Sequence, residues 1–120
     1  MSLTRILYIE DDIDISYTIK SAFELHFNNV AMDLASTLEE VHESITTKHY
    51  DIIFYDLCFG YDYPEKIRDM KPGALLIAMS VALLYHDIPK CFDASIFTMQ
   101  ITPRSPSLKM LLKEYGITLK

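Results

Sequence analysis

Asp51-Ile52-Ile53-Phe54-Tyr55-Asp56 is the stretch that decides the fold. Four apolar or aromatic residues between two acids, with no polar alternation, predict a strand covered on both faces, as in a parallel sheet. The strand discharges a carboxylate at its C-terminal end, and in an open parallel sheet that end lines the ligand crevice. Asp56 is therefore expected at the rim of a site. A second run, Arg5-Ile6-Leu7-Tyr8-Ile9, ends the same way, in Glu10-Asp11-Asp12. Two buried strands that bring acids to one edge point to a cation between them, because like charges in close company raise each other's pKa.

The rest of the chain repeats the strand-helix alternation. Asp12 or Asp14 can cap a helix through about Phe27, with Ile15, Ile19, Ala22, Phe23 and Phe27 at helical spacing. A strand at Val30 to Leu34 follows. Either Ser36 with Glu39 or Thr37 with Glu40 then makes a capping box for a helix that turns Leu38, Val41 and Ile45 inward. After Asp56, Gly60 and Pro64 punctuate a loop, and a short helix runs from Pro64 to about Lys71, where Pro72-Gly73 stops it. A fourth strand covers Ala74 to Ser80. A short irregular helix broken by Pro89 covers Ala82 to Phe92, and a fifth strand covers about Ser95 to Met99. Ser105, Pro106 and Gly116 bound a last helix with Leu108, Leu111, Leu112 and Tyr115 as its apolar stripe. Gly116 to Lys120 is expected to be a tail or the start of a connection.

Such alternation predicts an α/β fold with a doubly wound, five-stranded parallel sheet. The 120 residues, half of them hydrophobic, form a single domain, residues 1–120, with enough apolar mass for a core. The net charge of -6 argues against a nucleic-acid surface and fits a protein whose acids attract a cation or a basic partner. Cys58 and Cys91 have no metal-ligand spacing and are too few for a disulfide framework, so a reducing compartment is expected. The most apolar stretch, Ala74 to Tyr85, falls well short of the ~20 residues of a membrane helix, and no signal pattern opens the chain. Both features predict a cytoplasmic location without membrane contact.

The acids narrow the fold further. No Gly-rich dinucleotide turn and no Lys-bearing phosphate loop occurs. What does occur is Ile-Leu-Tyr-Ile-Glu-Asp-Asp at residues 6–12, a lone Asp ending the third strand at 56, and Ser80 ending the fourth. Over essentially the whole chain this pattern resembles the receiver domain of two-component response regulators, a flavodoxin-like architecture. The resemblance implies Mg²⁺ as cofactor, with Asp11 and Asp56 as direct ligands, Glu10 acting largely through water, and the backbone carbonyl of Cys58 adding an oxygen. It implies Asp56 as acceptor of a phosphoryl group from a histidine kinase or phosphotransfer protein. It also implies Ser80 as the hydroxyl that bonds that group and Phe97 as the aromatic that turns inward behind it. Hard oxygens and one or two carboxylates suit Mg²⁺, which would neutralise the phosphoryl oxygens during transfer.

The chain departs from the family in several places. The strand-five lysine is missing, with Gln100 or Met99 at its position depending on the alignment. A neutral donor there makes a hydrogen bond roughly half as strong as a charged one. Gly60 stands where the family has Pro, and the segment from Asp56 to Ser80 is short, so helices three and four are expected to be shortened. The face formed by the fourth helical segment, the fifth strand and the last helix is the family's common output surface. It is the expected site for an output partner or a second copy in a homodimer.

Each residue has a plainer reading. Glu10, Asp11 and Asp12 can be a solvated turn at a helix N-terminus, favoured by the helix dipole, and Asp12 is the member that suits a cap alone. Ser80 can be turn chemistry and Phe97 core packing. Cys58 sits among acids that raise a thiol's pKa, so only its carbonyl is assigned a role. Tyr55, Phe59, Tyr61 and Tyr63 either cover the short helix or form a partner surface. The phosphate-accepting receiver is the first expectation. A phosphorylation-independent interaction or dimerisation module is the alternative, and no nucleophile-base pair suggests an enzyme.

Overall fold

The computed structural model describes residues 3–80, 88–98 and 101–119. Its strands are β1 (Thr4–Ile9), β2 (Val30–Ala35), β3 (Ile52–Asp56), β4 (Leu75–Ser80) and β5 (Ala94–Phe97). The helices are α1 (Ile13–His26), α2 (Leu38–Thr47), α3 (Tyr63–Met70) and α4 (Pro106–Glu114), and a 3₁₀ turn spans Leu57–Phe59. The five strands pair in parallel in the order β2-β1-β3-β4-β5. The order reverses at β1, so the crevice between β1 and β3 is the topological switch point where doubly wound sheets bind ligands.

Burial on both faces explains the unbroken apolar runs. Ile6, Tyr8, Ile52, Phe54, Ile77 and Met79 pack with Phe23 of α1 and with Leu108 and Leu112 of α4. Leu7, Ile9, Ile53, Tyr55 and Leu76 pack on the other face with Val41 and Ile45 of α2 and Ile67 of α3. The period of two within each strand thus feeds two separate half-cores.

The local signals resolve as follows. Asp12 is the cap of α1, accepting from the Ile15 N–H at 3.1 Å. In the capping box of α2 the pair is Thr37 with Glu40: Thr37 accepts from the Glu40 N–H, while the Glu40 carboxylate reaches back to the Ser36 N–H at 2.9 Å. Ser105 caps α4 by accepting from the Leu108 N–H.

Three expectations of burial and extent are corrected. Ile15 and Leu38 are exposed, because the inward stripe of α1 runs through Ser16, Ile19 and Phe23, and that of α2 starts at Val41. Ile88 to Phe92 forms a turn rather than the end of a helix, closed by the Phe92 N–H on the Pro89 carbonyl. The rest of that expected helix, 81–87, and Met99 and Gln100 lie outside the described residues. The end of the chain is also no free tail through residue 119, since Ile117 and Leu119 pack against the α1–α4 half-core. Among the described residues no helix is long and apolar enough to cross a membrane.

Candidate metal and phosphoryl site

β1 and β3 lie side by side, with Ile9 opposite Tyr55, so the residue that follows β1 and the residue that ends β3 leave the sheet together. Those residues are Glu10 and Asp56. One carboxylate oxygen from each of Glu10, Asp11 and Asp56 lies within 4.8 Å of the others. Glu10 and Asp56 are buried, Asp56 retaining 7% of its surface, whereas Asp11 is exposed. The pocket therefore has two walls in the protein and one in water.

Electrostatics in this pocket runs against three anions. Burial, and then the close approach and negative charge of Asp56, push the Glu10 carboxyl up to about 8 from its ordinary 4.5. Its Oε1 accepts from the Asp12 N–H at 3.3 Å, and its Oε2 is buried without a hydrogen-bond partner. Asp56 Oδ1 accepts from the Cys58 N–H at 2.9 Å and so caps the turn Leu57–Phe59. The negative charge of Asp56, followed by burial, raises the Cys58 thiol, which fits its reading as an unreactive side chain.

The donor set suits a hard divalent cation. Three carboxylates, one of them with an unsatisfied buried oxygen, form a cluster whose mutual repulsion an ion such as Mg²⁺ would relieve.

Ser80 reaches the same edge of the sheet on β4, one residue beyond Met79, which pairs with Asp56. Phe97 pairs with Ser80 across β4 and β5, so the two side chains share a sheet face, and both are half-buried. The loop after Asp56 is braced from below: the Tyr55 hydroxyl donates to the Gly60 carbonyl at 2.9 Å, and the Tyr55 ring packs tilted on Phe59 and Phe92. Of the loop aromatics only Tyr61 is exposed. His26, His42 and His49 are exposed and outside the acidic cluster.

No protein-family model matches the chain, and no curated protein matches it in sequence. Solved structures do. Response regulator protein TrrA from Thermotoga maritima, in complex with Mg²⁺-BeF, superposes with a TM-score of 0.75 at 22% identity, covering 93% of this chain and 98% of that one. A CheY-like response regulator receiver domain from Methanospirillum hungatei gives 0.73 at 24% identity, over 96% of this chain and 92% of that one. The fold is that of a response-regulator receiver. A response regulator from Burkholderia pseudomallei, solved with a phosphorylated aspartic acid, a calcium ion and citrate, shares this receiver fold at a TM-score of 0.70 and 14% identity, over 92% of this chain and 72% of that one.

One residue at the receiver-like site carried a signal that the acids overshadowed. Tyr8 lies two positions before Glu10 in a strand buried on both faces, where a phenol needs a hydrogen-bond partner. Its hydroxyl is buried and has none.

Proposed function

We propose that the chain is a cytoplasmic receiver of two-component signalling, which binds Mg²⁺ through Glu10, Asp11 and Asp56 and accepts a phosphoryl group on Asp56 from a histidine kinase or phosphotransfer protein. The observation that carries this reading is the convergence of the three carboxylates within 4.8 Å at the switch point of a receiver fold. In this reading the backbone carbonyl of Cys58 supplies a further oxygen to the ion. Bound there, the ion supplies charge neutralisation for the phosphoryl oxygens.

The chain's own residues do the rest. The Cys58 N–H fixes Asp56 through Oδ1, which leaves Oδ2 to attack phosphorus as the bond to the donor imidazole nitrogen breaks. Asp11, on the solvent side, keeps the entrance polar, and Tyr55 holds the following loop through Gly60. Ser80 is the hydroxyl for the phosphoryl group, and Phe97, beside it in register, is the aromatic that follows its movement. Gln100 stands at or near the position of the family's lysine, so the charge there is absent and the coupling of phosphorylation to a conformational change is weakened or altered. The face of β5 and α4 is the surface for an output partner or a second copy.

The missing lysine favours a second reading, in which the domain is a phosphorylation-independent interaction module. Incubation with Mg²⁺ and acetyl phosphate, followed by intact mass, separates the two. The first reading expects a phospho-adduct on the wild type and none on Asp56→Asn. An unmodified wild type, or an adduct that survives in Asp56→Asn, overturns it.

A further inference from the structure

The described residues contain three buried side-chain polar atoms without a hydrogen-bond partner: the Tyr8 hydroxyl, Glu10 Oε2 and Thr98 Oγ1. Two of the three belong to one stretch of chain, Tyr8 in β1 and Glu10 just beyond its end, two positions or roughly 6.6 Å apart along an extended backbone. Tyr8 is fully buried in the α1–α4 half-core. Its ring packs on Phe54, at 6.0 Å between centroids, and Phe54 stands two residues before Asp56 on the paired strand. Burial first, and then the negative charges of Glu10 and Asp56, push the phenol's pKa up. One orphan is thus a donor in need of an acceptor, and the other is an acceptor in need of a donor.

We propose that Tyr8 is a positioning residue, whose hydroxyl donates to Glu10 Oε2 and orients that carboxylate when the site holds its divalent ion. The inference rests on the reading of Glu10, Asp11 and Asp56 as an ion site and adds the partner that this site lacks on its inner side. Carboxylates that hold metals are themselves hydrogen-bonded, and loss of such an outer partner typically weakens metal binding 10–100-fold. Cys58 serves Asp56 in this way and the Asp12 N–H serves one oxygen of Glu10. Among the described residues, Tyr8 is the buried donor without a partner that stands two positions from Glu10 in the chain. A purely space-filling tyrosine would instead make its hydroxyl dispensable to the ion.

Tyr8→Phe removes the hydroxyl and keeps the ring. The variant is expected to unfold at or above the wild-type temperature without ion, because it deletes an unsatisfied polar group. By calorimetry it is expected to bind Mg²⁺ about tenfold more weakly. The chain has eight tyrosines and no tryptophan, so the long-wavelength part of its near-ultraviolet absorbance, beyond the phenylalanine bands, reports tyrosine. Mg²⁺ should red-shift a tyrosine band in the wild type as the phenol donates to a carboxylate, and that difference band should be missing from Tyr8→Phe. Equal Mg²⁺ affinity in variant and wild type overturns the inference, as does an unchanged difference band. Should Tyr8→Phe not fold, the wild type alone decides, since no red shift at saturating Mg²⁺ overturns the pairing. A wild type that binds no Mg²⁺ overturns the ion site itself, and with it this inference.

Discussion

Arg68 of α3 and Asp93, which leads into β5, form an ion pair that ties the last strand to the sheet. Arg68 donates to the Asp93 carboxylate and also to the carbonyls of Cys91, Pro72 and Ala74. Asp93 in turn accepts from the Leu76 N–H at 2.8 Å, so it extends the ladder of β4 before β5 begins. The pair is only partly exposed. Arg68→Ala leaves those acceptors and a charge without their partner and is expected to cost roughly 2–3 kcal/mol in urea unfolding. Arg68→Lys should recover only part of this, because an ammonium cannot reproduce the planar fork.

Glu10 makes stability depend on pH. With its folded value near 8 and its ordinary value of 4.5, the folded protein keeps a proton that the unfolded chain gives up. The contribution is full below about pH 4.5 and is lost as pH rises toward 8, a decline of at most about 5 kcal/mol. Urea midpoints measured without divalent ion across that window should fall with pH in the wild type and stay flatter in Glu10→Gln. Mg²⁺ competes with the same proton, so its apparent affinity should rise over the same range.

Asp12 tests the border between structure and chemistry. Its side chain caps α1 through the Ile15 N–H and is outside the three-carboxylate cluster. Asp12→Ala should lower stability by about 1 kcal/mol in thermal or urea unfolding. Mg²⁺ affinity by calorimetry should stay essentially unchanged.

Gly60 ends the turn after Asp56 with φ 110° and ψ 162°, a conformation nearly confined to glycine. A Cβ there meets no atom within 4 Å, so the cost of a substitution is in the backbone. Gly60→Ala is expected to lose about 1–3 kcal/mol, read from the unfolding midpoint. It should also loosen the loop that the Tyr55 hydroxyl braces, seen as faster amide exchange at Cys58.

Much of the fold was legible because its signals are local. The apolar runs of β1 and β3, the caps Asp12, Thr37 and Ser105, and the stop at Gly116 each depend on neighbours within a few residues. The failures have the same physical root. Ile15 and Leu38 have helical spacing, but which stripe of a helix faces inward is settled by the sheet beneath it, and Ser16 and Val41 took those places. No local signal marks Arg68 and Asp93 as partners, since nothing nearby in the chain shows that they meet.

The sequence by itself determined that strands and helices alternate and that two buried strands end in acids, because periodicity and capping are written within each segment. Only the tertiary structure decided that β1 and β3 are neighbours, and hence that Glu10, Asp11 and Asp56 share one pocket. Strand order follows from burying both faces of the sheet under helices at once, a balance over the whole chain. The same packing buried the Tyr8 hydroxyl without a hydrogen-bond partner, a placement set by the helices packed over that face and by no residue beside it in the chain.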